Sequence, residues 1–215
     1  MAAPVSITAA KKQLRSLVRT SIKSLSPSDL SAQSSATALH LLQTPSFQTA
    51  SSIALFISMP TGEICTRSLL TAALAANKTV YIPRVGVDFK NPSMDFIKLD
   101  VPSVDVIYDD WPRNKWSIPE PPETTELTVA YTDPEDTIDL IVLPGVAFDN
   151  VGGRLGQGKG YYDRYIAGLL APRPTLIGIA LTCQLQGDHE LPMSADDVVL
   201  DGVASPDGVN MTRSP

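Results

Sequence analysis

Histidine and cysteine are almost missing from this chain, with two of each in 215 residues. The histidines, His40 and His189, stand far apart in the sequence. A Ser/His/Asp or Cys/His nucleophile constellation therefore has little to draw on, and both histidines are expected to be incidental. The cysteines, Cys65 and Cys183, are also distant. They make neither a disulfide framework nor a zinc motif, so buried reduced thiols and a reducing intracellular compartment are expected. Apolar runs long enough to cross a bilayer are lacking too, which argues against a membrane partner. The net charge of −6 speaks against broad nucleic-acid binding.

Acids are absent from residues 1–28, which hold five basic residues, whereas 13 of the 23 acids lie between Asp88 and Asp139. An anionic small molecule can therefore find a local positive pocket in an acidic protein. The acid-free start shares its composition with mitochondrial transit peptides. Its apolar residues Leu14, Leu17, Val18, Ile22 and Leu25 also fall at helical spacing. An amphipathic helix of the mature fold is the reading adopted, with a cytoplasmic location expected and a mitochondrial form left open.

The remaining pattern is that of an α/β protein, and its length suits one domain over residues 1–215. "SPSD" predicts a helix capped by Ser26 that runs to Leu42 and stops before Pro45. "SSIALFIS" reads as a buried strand, and "TRSLLTAALAAN" as a helix capped by Thr66 with Asn77 at its end. "KTVYIP" is a strand closed by Pro83, and "SMDFIKL" an edge or hairpin strand. Residues 100–136, rich in proline and acid, are expected to form a long surface excursion. "IDLIVLP" is the central parallel strand, "YYDRYIAGLL" a helix, "TLIGIAL" a strand and "DVVLDGVA" the last strand. The expected architecture is a single-domain, open and mostly parallel sheet with helices on both faces, in three layers. Ligands of such sheets bind at the carboxyl ends of the strands.

One stretch at that edge stands out, "GGRLGQGKGYYDRY", residues 152–165. From Gly153 it matches the phosphate-loop spacing G-x-x-x-x-G-K, but Gly160 stands where that motif places the magnesium-binding Ser or Thr. The dinucleotide pattern G-x-G-x-x-G also fails. Successive amides of a glycine-rich loop before a helix still make an anion-binding concavity. Arg154 and Lys159 add full charges to it. Any metal oxygen must come from elsewhere, and Asp163 is the nearest carboxylate.

The longer string "LPGVAFDNVGGRLGQGKGYYDRY" closely resembles the signature of the 5-formyltetrahydrofolate cyclo-ligases, also called methenyltetrahydrofolate synthetases. "KKQLRSLVR", "LFISMPTGEICT", "KWSIPEP" and "LPMSADDVVLDGV" resemble further segments of that family, so the likeness covers nearly the whole chain. The resemblance implies one α/β domain that converts 5-formyltetrahydrofolate to 5,10-methenyltetrahydrofolate, splitting ATP to ADP and phosphate with Mg²⁺. It implies catalytic Lys159 and Arg154, and nucleotide contacts from Lys11, Arg15, Arg154, Leu155, Gly156, Gln157, Gly158, Lys159, Gly160, Tyr161 and Tyr162. It further implies substrate contacts from Ile57, Glu63, Trp116 and Tyr162, and magnesium held by Asp163 and Asp197. The enzyme is expected to act as a monomer. A non-catalytic protein that sequesters 5-formyltetrahydrofolate on the same fold is the alternative.

Overall fold

The structure is a computed structural model that describes residues 6–86, 93–133, 136–169 and 172–212. The chain opens with helix α1 (Ile7–Lys23), whose N-cap Ser6 accepts a hydrogen bond from the Ala9 amide. Helix α2 (Pro27–Leu42) starts as its sequence predicts, with Pro27 in the first turn and the Ser26 hydroxyl accepting from the Asp29 amide. A short helix not foreseen from the sequence, α3 (Pro45–Thr49), follows at once because Thr44 caps it by accepting from the Phe47 amide.

Strand β1 (Ser52–Ala54), helix α4 (Arg67–Ala75) and strand β2 (Thr79–Val85) form the first strand–helix–strand unit, with β1 and β2 parallel. The strand in "SSIALFIS" is shorter than expected, although Leu55–Ser58 stay buried. Thr66 does not cap α4 through its side chain. Its hydroxyl instead donates to the Phe56 carbonyl (2.7 Å) and accepts from the Ser58 amide (3.2 Å). That exchange ties the exit of β1 to the start of α4. Asn77 ends the helix at φ 53°, the left-handed conformation that asparagine tolerates.

Pro83 does not close β2, because beyond Tyr81 that strand pairs only with β3 (Met94–Lys98), antiparallel, and the lost amide has no second neighbour to serve. The excursion after β3 contains a π-helical turn (Val106–Asp110). It is not purely superficial: Val104, Ile107 and Ala130 are buried, and the Lys98 amide donates to Thr128 and the Ala130 amide to Phe96, along the edge of β3.

Strands β4 (Leu140–Leu143), β5 (Ala147–Phe148) and β6 (Arg154–Leu155) come next, then helix α5 (Tyr161–Ala167) and strand β7 (Thr175–Ile179). A 3₁₀ turn (Thr182–Gln184) and strands β8 (Gly202–Ser205) and β9 (Gly208–Met211) complete the chain. The last predicted strand thus begins later than "DVVLDGVA", and it turns into an antiparallel partner, β9, that the sequence reading did not separate. Among the described residues seven strands make one sheet in the order β3-β2-β1-β4-β7-β8-β9, parallel through its centre and antiparallel at both ends.

Alternation along β4 shows how the two faces are covered. Leu140 and Val142 point to a core shared with α1, α2, α3 and α4, whereas Ile141 and Leu143 point to a core with Ile166 of α5 and Tyr81. Both faces are buried, which is why "LIVL" is apolar at every position. Within α1 only Val18 and Ile22 are fully buried, and Leu17, expected on the apolar face, is 59% exposed. Cys65 is exposed rather than buried, and Cys183 is half-buried. Among the described residues no helix is long and apolar enough to cross a membrane.

Candidate functional site

The glycine-rich stretch leaves the carboxyl end of β4 and first folds back on itself. Strands β5 and β6 pair antiparallel, and the turn between them is organised by Asp149, whose side chain accepts from the Gly153 amide (2.6 Å) and the Val151 amide (3.2 Å). Arg154 and Leu155 are therefore held as a short strand before the loop crests at Gly156–Gly160. The crest returns to α5 through Gly158 (φ 100°) and Gly160 (φ 64°). The left-handed conformation at Gly160 favours glycine, and a Cβ there would lie 2.9 Å from the mobile end of Arg164, so the turn into α5 accounts for the residue that breaks the phosphate-loop pattern.

Arg154 lies beneath the loop, 4% exposed. One terminal nitrogen donates to the Pro144 carbonyl (3.2 Å) and the other to Asp163 Oδ1 (2.9 Å). Its guanidinium also sits 5.6 Å from the centre of the Tyr162 ring, and its Nε is buried without a partner among the described residues. The side chain links the exit of β4 to the first turn of α5, leaving one buried donor to be satisfied. Asp163 accepts additionally from the Val198 amide (3.4 Å), which brings the closing segment beside α5.

Three cations line one side of α1 at four-residue spacing, the interval that stacks side chains on one helix face. Lys11 forms an ion pair with Asp197 and donates to Ser194 Oγ (3.1 Å). Arg15 donates through Nε to the Gly156 carbonyl (2.8 Å), and Arg19 donates to the Gln157 side chain. Arg19 was absent from the sequence-based site, although its spacing from Lys11 and Arg15 carried it. Burial and neighbouring Arg19 lower the Arg15 pKa from its ordinary value, against the opposing pull of Asp197. Burial pushes the Asp197 carboxyl up, but hydrogen bonds from Lys11 and Ser194 outweigh it and hold the pKa below the ordinary carboxylate value. Lys159 differs from these cations: it is exposed at the crest, with no ion pair among the described residues.

Glu63 closes the turn after β1. Its Oε2 accepts from the Met59 amide (2.8 Å) across Gly62. Burial pushes its pKa up to about 7, with the Met59 bond pulling the other way. The Tyr162 hydroxyl is pushed well above its ordinary pKa by burial; Arg154 opposes that shift and Glu63 adds to it, so Glu63, Tyr162 and Arg154 share one locality. The Tyr162 ring meets Phe96 edge-on, with centroids 6.2 Å apart, which fixes it as a wall. Ile57 is buried in the core on the helix-rich face. Trp116 is 51% exposed on the excursion, its ring 4.3 Å from Lys115 Nζ, and among the described residues no hydrogen bond or ring contact joins it to Glu63 or Tyr162.

Among the described residues no three His, Cys, Asp or Glu side chains cluster as a closed metal cage. Asp163 and Asp197 nevertheless lie on adjoining segments, each with one oxygen taken by the bonds above and the other carrying none among the described residues. That donor set fits Mg²⁺, which keeps several waters and is held by one or two carboxylates together with substrate phosphates.

Residues 7–206 match the model of the 5-formyltetrahydrofolate cyclo-ligase family. A probable 5-formyltetrahydrofolate cyclo-ligase of Schizosaccharomyces pombe is 31% identical over 208 residues, covering 93% of this chain and 96% of that protein. One from Caenorhabditis elegans is 33% identical over 198 residues, covering 90% of this chain and 91% of its own. The solved structure of the 5,10-methenyltetrahydrofolate synthetase of Aquifex aeolicus superposes with a TM-score of 0.73 at 27% identity, covering 95% of this chain and 94% of that one. With the family match spanning the glycine loop, the α1 cations and the Asp163 and Asp197 segments alike, this chain is an enzyme of the 5-formyltetrahydrofolate cyclo-ligase family.

Proposed function

We propose that the chain closes 5-formyltetrahydrofolate to 5,10-methenyltetrahydrofolate at the expense of ATP, releasing ADP and phosphate. The observation that carries this reading is the convergence of Lys11, Arg15, Arg154, Asp163 and Asp197, drawn from three distant segments, around one glycine crest at the carboxyl edge of β4. A sheet edge built only to hold a pterin needs no such set of cations and carboxylates.

The formyl group on N5 is an amide, so its carbon is a weak electrophile and its oxygen a poor leaving group. Transfer of the γ-phosphoryl group to that oxygen gives an iminium phosphate. N10 then attacks the activated carbon, and loss of phosphate together with the N10 proton leaves the new ring. Such a transfer is served by positioning and charge neutralisation rather than by a protein nucleophile. The scarcity of histidine is consistent with that demand.

In this reading Lys159, exposed on the crest, meets the transferring phosphoryl group as a point charge. The backbone from Leu155 to Gly160 offers amides to the phosphates, with Gln157 and Tyr161 flanking them. Lys11 and Arg15 meet the nucleotide from α1. Arg154 contributes its charge from below and orients Asp163. Asp163 and Asp197 would hold Mg²⁺, which when bound neutralises charge on the phosphate oxygens. Glu63 accepts hydrogen bonds from the polar pterin edge, Tyr162 walls the ring, Ile57 lends an apolar contact, and Trp116, exposed on the excursion, is the further aromatic surface offered to the substrate. The test mixes protein, Mg·ATP and 5-formyltetrahydrofolate and follows absorbance of the methenyl product. Product formed only with all three is the expected result; intact folate binding without product would favour a sequestering protein.

A further inference from the structure

We propose that the Lys11–Asp197 ion pair makes this site selective for metal-complexed over metal-free nucleotide, an inference that rests on the nucleotide reading above. Both side chains are largely shielded, at 15% and 18% exposure. A pair so placed is costly to split, because each charge abandoned by its partner remains partly desolvated. Beyond Lys11, Asp197 is held by the Ser194 amide (2.6 Å) and hydroxyl (2.8 Å), and Arg15, the next cation of α1, attracts it without forming a direct ion pair, its Nε donating to the Gly156 carbonyl. Asp163, on the adjoining segment, is an acid whose own cation, Arg154, lies 2.9 Å away and stays with it.

The consequence follows from counting charges. A metal-free triphosphate that recruits Lys11 strips Asp197 of its direct cation and adds further negative charge beside it, while Arg154 remains with Asp163. A triphosphate that arrives with its divalent cation brings a replacement: Lys11 moves to phosphate while Asp197 gains the metal, and neither charge is left bare. One buried pair is exchanged for two, so the apo ion pair opposes binding of the wrong form of the nucleotide. Its function is rejection as much as attraction.

The test is calorimetric binding of ATP without folate, in EDTA and in Mg²⁺, to four proteins: the native chain, Asp197→Asn, Lys11→Met and the double variant. Asparagine keeps an oxygen for the Ser194 donors, and the double variant leaves no unpaired charge, so the fold is retained. In EDTA, Asp197→Asn is expected to tighten ATP binding by about tenfold in the native background, and by less than about twofold when Lys11 is already Met, since the gain comes from freeing Lys11. With Mg²⁺ present the same substitution brings no gain. Equal gains in both backgrounds would overturn the proposal, because Asp197 would then act through its charge alone. No gain in either, with native ATP binding measurable, would overturn it as well. Failure of the native chain to bind ATP under both conditions would bring down the nucleotide reading and this inference with it.

Discussion

The two long connections of this chain leave different strands of one sheet, the antiparallel edge strand β3 and the central strand β4, and are held in different ways. The excursion after β3 is fastened by packing and backbone pairing, with Ile107 fully buried and residues 128–130 bonded along β3, while its middle around Trp116 stands in solvent. The glycine loop after β4 is fastened by charge and polar bonds: Asp149 within its turn, Arg154 beneath, Arg15 and Arg19 from α1. A loop anchored by polar groups keeps its amides and charges directed at a ligand. A loop anchored by apolar groups can vary at its tip without cost to the fold.

Each part of that contrast can be broken. Lys159→Ala should have the largest effect, lowering turnover by about 10²–10³-fold while the unfolding midpoint stays where it is, because the side chain is exposed and supports nothing. Steady-state kinetics beside a thermal melt decide it, and near-native turnover would remove Lys159 from the transfer step. Asp163→Asn comes next: it should raise the Mg²⁺ concentration needed for half-maximal activity by about tenfold or more. An unchanged magnesium titration would leave Asp163 as a structural partner of Arg154 only.

Gly160→Ala strikes the loop's geometry, and should cost about 1–2 kcal/mol in denaturant unfolding, since alanine must adopt φ 64° against Arg164. A smaller effect than a few tenths would mean that the turn relaxes. The Glu63 carboxyl supplies a pH test. Its pKa is raised from 4.5 to about 7 on folding, so the folded state binds the proton more tightly. The stability it contributes is complete below about 4.5 and is lost as pH rises through about 7. Glu63→Gln should flatten the decline of the unfolding midpoint over that window; an unaltered slope would assign the decline to other groups. Trp116→Ala should have the smallest effect, with stability changed by less than about 0.5 kcal/mol and the folate KM raised a few-fold. A folate KM equal to the native one would strike Trp116 from the substrate contacts.

Much of the fold was legible because its strongest local rules agreed with its packing. Ser26 and Pro27 begin α2 by capping chemistry that needs no neighbour, and the uniform apolarity of "LIVL" follows from burial on both faces. The rules failed where a distant partner outbid them. Thr66 looked like a cap, but its hydroxyl serves Phe56 and Ser58; Pro83 looked like a strand end, but the strand there has one neighbour only. The short helix α3 and the β8–β9 hairpin were missed because each is only a few residues long and carries no periodicity of its own. At the site, the glycines, Arg154, Lys159 and Asp163 were visible as one string. The Arg19–Gln157 contact was not, since nothing in either segment names the other.

Sequence alone decided which chemistry is offered most plainly: a glycine crest free to expose its amides, cations and a carboxylate at close spacing, and no visible Ser/His/Asp or Cys/His constellation. Those are properties of residue types and short-range spacing, which the chain carries before it folds. Tertiary structure alone decided how the charges are spent. Folding brings Lys11 across 186 positions to Asp197 and sets Arg154 in the interior against Asp163, while Lys159 is left in solvent. Which cation is bound to a partner and which remains open to a ligand depends on distance and burial, and those exist only once the sheet has drawn its loops to one edge.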